Sequence, residues 1–201
     1  MKPTKLNVER DAMGADEYHP LSHRGSNFSK HGGIGYMVVD ALDTMHLMGL
    51  KEEYDRTRHW LATEHTFNRD GNFNSFEVCR LPLYTRNSLT KLGIQTTIRV
   101  LGGLLSVFHL TEDPLYLEKA VDLADRMLPI FNTSSGLPLS MANLGLQQAV
   151  DDPRTKGLVS TAEATTLQLE YRYLSHVTGN PIYWDSVEKV NKTSLIIAEL
   201  K

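Results

Sequence analysis

Five charged residues stand where they could do chemistry: Asp40, Asp43, Glu77, Arg99 and Glu163. Arg99 interrupts an apolar run, Thr96 to Leu110. If buried, its guanidinium requires a carboxylate or an oxygen-rich ligand. An internal ion pair and a sugar or anion contact both meet that need. Glu163 lies three residues after Ser160, a capping-box spacing in which its carboxylate would hold a helix start. Asp40 and Asp43 either face a polar cavity or hold loop amides. Carboxylates grouped with an arginine are compatible with a sugar site but do not specify one. His109 and His176 fall at helix ends and read as C-terminal caps rather than metal ligands. No phosphate-binding loop, dinucleotide fingerprint, nucleophile elbow or zinc spacing is present.

The elements that must position these residues are helices. His109-Leu-Thr-Glu-Asp-Pro-Leu-Tyr-Leu returns as His176-Val-Thr-Gly-Asn-Pro-Ile-Tyr-Trp, 67 residues later. Each copy closes one apolar helix and opens another, as in chains that stack helix pairs into a ring or superhelix. Spacing predicts a helix from Tyr36 to Met48, with Val38, Leu42, Met45 and Met48 on one face. Further helices are predicted from Leu50 to Glu64, from Thr96 to Leu110 and from Pro114 to Leu128. Two more should run from Ser160 to Val177 and from Pro181 to about Asn191. Residues 1–35, 67–76 and 132–144 read as loops. The pair Gly102-Gly103 weakens its helix and suggests close approach of a neighbouring helix or of a ligand. Nothing alternates as a strand, so the expected class is all-α, built of antiparallel helical hairpins.

Composition narrows the function classes. The chain has 201 residues, 41% apolar, with a net charge of -3, which fits a soluble globular domain and gives no reason to expect nucleic acid. A single cysteine, Cys79, cannot form an internal disulfide. No apolar stretch is long enough to span a bilayer, so this segment is expected to make no membrane contact. No signal peptide is visible at the N-terminus. Asn27-Phe-Ser, Asn132-Thr-Ser and Asn191-Lys-Thr are acceptor tripeptides for N-glycosylation. Such tripeptides also arise by chance.

Long ordered stretches resemble glycoside hydrolase family 47, the class I α-1,2-mannosidases. They are residues 33–49 (Gly-Ile-Gly-Tyr-Met-Val-Val-Asp-Ala-Leu-Asp-Thr-Met-His-Leu-Met-Gly), Phe76-Glu77, and residues 96–106 (Thr-Thr-Ile-Arg-Val-Leu-Gly-Gly-Leu-Leu-Ser). They continue through Leu128-Pro-Ile-Phe-Asn-Thr, Gly136-Leu-Pro-Leu-Ser and residues 162–175. The resemblance implies part of an (αα)7 barrel, an alpha/alpha toroid with its active site inside. It implies hydrolysis of terminal α-1,2-linked mannose from high-mannose N-glycans, with inversion. It implies a Ca2+ ion in the complete enzyme, whose ligand residue has no counterpart here. Glu77 would be the general acid, with a raised pKa so that it carries a proton near neutral pH. Arg99 and Glu163 would bind substrate, and Asp40 and Asp43 would belong to the architecture or the cavity rim. The partners would be N-glycoproteins of the endoplasmic reticulum, the Golgi or the cell exterior, with an N-terminal anchor in a complete protein.

Departures from the family pattern set further expectations. Phe76-Glu77 should run directly into Thr96-Thr-Ile-Arg, which would place the acid and arginine four residues apart on one helical face. Here Val78–Gln95 intervenes, 18 residues carrying Arg80, Arg86 and Lys91 and no acid. It reads as an atypical insertion, either a surface loop or a short intron translated in frame, and is expected to disturb the acid–arginine geometry. Residues 1–201 read as an incomplete catalytic domain, lacking the base that an inverting hydrolase requires. The isolated chain is therefore expected to be inactive. The rival readings are a degradation-linked mannosidase-like protein and a non-catalytic oligomannose-binding module.

Overall fold

The structure, a computed structural model, describes residues 10–75, 96–151 and 158–199. It opens with a two-stranded antiparallel hairpin, β1 (Glu17–His19) and β2 (Arg24–Ser26). Then come α1 (Tyr36–Asp40), α2 (Leu42–Leu47) and α3 (Lys51–Thr63). Strand β3 (Asn72–Asn74) precedes a π-helical turn, Thr96–Leu101, that continues into α4 (Gly102–Thr111) and α5 (Pro114–Met127). A 3-10 turn, Leu128–Phe131, leads to β4 (Met141–Asn143) and β5 (Gln148–Val150). The chain finishes with α6 (Thr161–Thr165), α7 (Gln168–Thr178) and α8 (Pro181–Glu199).

The repeat is a set of hydrogen bonds as well as a string of letters. Thr111 and Thr178 each return their hydroxyl to the carbonyl four residues back, both at 2.7 Å. Glu112 and Gly179 then take left-handed backbone, φ 56° and 69°. Asp113 accepts from Leu115 N at 3.1 Å and Asn180 from Ile182 N at 3.2 Å, so each caps a helix whose first residue is proline. Tyr116 and Tyr183 are both buried. Each donates its hydroxyl at 2.7 Å to the preceding pair, Tyr116 to Tyr54 and Tyr183 to Asp125. The second helix of each pair is thus latched to the pair before it. The first helices also lie side by side, α4 touching α1 and α2 on one side and α7 on the other.

The expectation of a purely helical chain is corrected by five three-residue strands among the described residues. Two form the opening hairpin, and three form an antiparallel sheet in the order β3-β4-β5, with Asn72 opposite Asn143 and Met141 opposite Val150. Three residues are too few for alternation to show, which is why the loops 67–76 and 132–144 concealed β3 and β4. The helix predicted over Tyr36–Met48 is two helices. The Thr44 N–H, which a continuous helix would give to Asp40, goes to Asp43 Oδ1 at 2.5 Å. The helix predicted to Val177 breaks at Thr166–Leu167, where Thr165 and Thr166 both bond back to the preceding turn at 2.8 and 2.6 Å. Helix α8 does not fade at Asn191. Val190 is buried, and Asn191 Nδ2 donates to Gln168 Oε1 at 2.8 Å, so packing carries the helix on to Glu199. The segment 78–95 and Glu77 lie outside the described residues.

One buried carboxylate organises the entrance to α1. Asp16 is fully buried and accepts from Phe28 N (3.1 Å), Ile34 N (2.8 Å) and Tyr36 N (3.4 Å). Those bonds fix the left-handed turn at Gly35, φ 69°, from which α1 starts. Burial still raises its pKa, against the three amide donors.

Candidate active site

The π-helical turn sets the geometry around Arg99. Such turns insert one extra residue per turn and re-aim side chains. Arg99 donates to Asp40 Oδ2 from Nη2 at 2.5 Å and from Nε at 3.0 Å, and its guanidinium lies over the Tyr36 ring, 4.6 Å from the centroid. Burial pulls the Arg99 pKa down, but the Asp40 hydrogen bond and neighbouring charge outweigh it, so the net shift is upward. The side chain is 41% exposed, so Arg99 is paired but not buried, contrary to the apolar look of its helix.

Asp40 also forms part of the wall of a cleft of about 500 Å³ between α1, α2, α4 and α7. Asp43, Gly102, Ser106, Glu170 and Tyr173 line the same cleft. Asp43 Oδ2 accepts from Ser106 at 2.8 Å, tying α2 to α4. Tyr173 OH and His109 Nδ1 are 2.9 Å apart, so His109 bridges two helices rather than capping one. The two glycines divide the roles predicted for them. A Cβ on Gly103 would stand 3.3 Å from the Val39 carbonyl oxygen, so this glycine admits α1. A Cβ on Gly102 would be in ordinary contact with Thr97 O at 3.6 Å and with Glu170 Oε1 and Cγ at 3.7 and 3.8 Å, and this glycine faces the cleft.

Glu170 is the residue that sequence reasoning missed. It is 92% buried (8% exposed), and its Oε2 has no hydrogen-bond partner. Burial pushes its carboxyl pKa up, opposed only by a backbone hydrogen bond. A buried carboxyl without a cation is held as the neutral acid over a wider pH range and can donate a hydrogen bond. The signal available was a carboxylate set in the otherwise uncharged run Leu-Gln-Leu-Glu-Tyr.

Glu163 does what its spacing predicted. Its Oε2 accepts from Ser160 N at 3.2 Å and its N donates to Ser160 Oγ at 3.2 Å, a complete capping box. It is buried but is not among the cleft-lining side chains. The structure therefore joins Asp40, Asp43 and Arg99 and adds Glu170, while Glu163 stands apart at the start of α6. Glu77 lies outside the described residues, but their two flanks meet. Thr97 donates to Ser75 O from N at 3.2 Å and from Oγ1 at 2.5 Å. The chain thus leaves at Ser75 and returns at Thr97 to one point, directly before Arg99.

The sequence profile of glycosyl hydrolase family 47 matches residues 7–196. The chain belongs to glycosyl hydrolase family 47. It is 44% identical over 94% of its length to the endoplasmic reticulum mannosyl-oligosaccharide 1,2-alpha-mannosidase of Schizosaccharomyces pombe, covering 33% of that protein. The human protein of the same description is 39% identical over 90% of the chain, which covers 23% of it. An alpha-1,2-mannosidase from Trichoderma reesei superposes with a TM-score of 0.72 at 25% identity, covering 93% of this chain and 37% of that one. The chain thus spans between 23% and 37% of the length of these relatives.

The resemblance assigns Ca2+ to the complete enzyme through a residue without a counterpart here, and the cleft residues do not fit a calcium site of their own. Ca2+ takes about six to eight oxygen ligands. In the cleft Asp40 is committed to Arg99 and Asp43 to Thr44 and Ser106, leaving Glu170 Oε2 as a carboxylate oxygen without a partner. Among the described residues no group of three or more His, Cys, Asp or Glu could hold a metal ion. Among them, too, no helix is long and apolar enough to cross a membrane.

Proposed function

We propose that this chain carries the sugar-recognising, acid-bearing part of an inverting α-1,2-mannosidase. Its substrate is the terminal α-1,2-linked mannose of high-mannose N-glycans on glycoproteins of the secretory pathway. Its relatives bear the names of endoplasmic reticulum mannosidases, and that compartment is the one proposed. The helical pairs form part of an (αα)7 barrel, and the cleft opens on its inner side. The carrying observation is the cleft lined by Asp40, Asp43, Ser106 and Glu170, at whose edge Asp40 holds Arg99 in place.

In this reading Glu77 is the general acid. The Ser75–Thr97 contact supports it, because it brings the Glu77 flank back beside the Arg99 turn. A sugar presents vicinal hydroxyls, each both donor and acceptor. Arg99 would donate to them, and Asp40 and Asp43 would accept. Glu163 would reach substrate only by an oxygen not used in the cap. Residues 78–95 are an insertion in the sequence between the acid and the arginine.

Titration calorimetry with α-1,2-mannobiose and α-1,6-mannobiose tests the proposal. The α-1,2 disaccharide should bind and the α-1,6 isomer should not. Equal binding of the two, or none of either, overturns the reading.

A further inference from the structure

The three acceptor tripeptides noted in the sequence are not equivalent in the fold. Asn27 is held at both ends of its amide, with Nδ2 donating to Ser26 O at 3.3 Å and Oδ1 accepting from Gly33 N at 3.2 Å. A Cβ on Gly33 would stand 2.5 Å from the end of the Asn27 amide, so nothing more fits there. The hydroxyl of its partner Ser29 accepts from His31 N at 3.0 Å and packs where a side chain on Gly71 would be. Asn191 lies inside α8, and its Nδ2 is spent on Gln168 Oε1 at 2.8 Å. Thr193, its hydroxyl partner, donates to Lys189 O at 3.0 Å and sits against Gly136.

Asn132 differs in that its side chain is not tied into the fold. It is exposed, it follows the 3-10 turn with non-helical backbone (φ -83°, ψ 71°), and Ser134 two residues on is exposed too. Among the described residues, neither the Asn132 amide nor the Ser134 hydroxyl makes a hydrogen bond. The turn keeps its shape without them, because Thr133 Oγ1 donates to Leu137 O at 2.6 Å and Leu139 N to Ile130 O at 3.0 Å.

We propose that the folded protein carries an N-linked glycan on Asn132 and on neither Asn27 nor Asn191. The donor class is a polyprenyl pyrophosphate-linked oligosaccharide. Asn132 Nδ2 bonds to the anomeric carbon of the first sugar. The bond from that carbon to the pyrophosphate oxygen breaks, the electron pair leaves with the pyrophosphate, and the amide gives up one proton to solvent. A glycan on the nascent chain at Asn27 or Asn191 would put a sugar on an amide nitrogen that the fold packs and bonds. The inference rests on the secretory placement proposed above but not on the sugar cleft.

Protein recovered from its own cells is treated with peptide N-glycosidase in heavy-oxygen water, which leaves a heavy aspartate wherever a glycan stood. The expected peptide map shows the label at residue 132 alone. Asn132→Gln and, independently, Ser134→Ala should both abolish the mobility shift on enzyme treatment, while Asn27→Gln and Asn191→Gln keep it. Label at 27 or 191, or at none of the three, overturns the inference. Mannobiose binding is measured separately, so loss of one reading does not remove the other.

Discussion

Replacing Glu170 by glutamine should stabilise the protein near neutral pH and leave it unchanged in acid. The carboxyl is 92% buried with one oxygen unpartnered, and burial raises its pKa. A group raised in the folded state favours folding fully below its unfolded pKa, where both states are protonated. As pH climbs above the ordinary value of 4.5, the unfolded chain ionises first and the native state lags. Stability is lost from there up through the folded pKa and stays lost beyond it. Glutamine matches the protonated acid in size but never ionises, so it escapes that loss. An unsatisfied buried polar group costs about 1–3 kcal/mol, so the gain at pH 7 should be about 1–2 kcal/mol. With a urea slope of about 2 kcal/mol/M, the midpoint should rise by roughly 0.5–1 M at pH 7 and stay level at pH 4. A variant less stable than the parent at pH 7, or a gap independent of pH, would show that the carboxylate has a partner and refute the reasoning.

Other substitutions test the supporting geometry. Gly103→Ala should destabilise by about 1–2 kcal/mol in thermal melts, because its Cβ meets the rigid backbone of α1 at 3.3 Å. Gly102→Ala, in ordinary contact only, should gain up to about 0.5–1 kcal/mol of helix propensity while weakening mannobiose binding. Asp16→Ala strips the acceptor from three buried amides and should cost about 3 kcal/mol in urea titration, with Asp16→Asn milder. Ser160→Ala should cost about 1 kcal/mol through the lost cap. Glu163→Gln should keep that cap, so any drop it causes in mannobiose affinity reports sugar contact rather than folding.

The repeat was legible because its letters are its hydrogen bonds: the threonine back-bond, the Asp or Asn cap, the proline and the latching tyrosine each recur at 67 residues. The capping box at Ser160 was legible for the same reason, since both partners are local. What stayed hidden depends on contacts between distant segments. The Asp40–Arg99 pair spans 59 residues, and nothing in either helix names the other. The strands are too short to alternate, and β3 is recognisable only once β4 lies beside it. Glu170 looked like an ordinary helix residue, because its missing partner is a property of the fold around it.

The central claim is that the cleft between α1, α2, α4 and α7 holds the sugar. Amide hydrogen exchange with and without saturating α-1,2-mannobiose tests it most directly. The account predicts slower exchange confined to the segments around Asp40–Asp43, Gly102–Ser106 and Glu170–Tyr173, and no such effect in Arg99→Ala. Protection located elsewhere, or an equal effect in that variant, would contradict it.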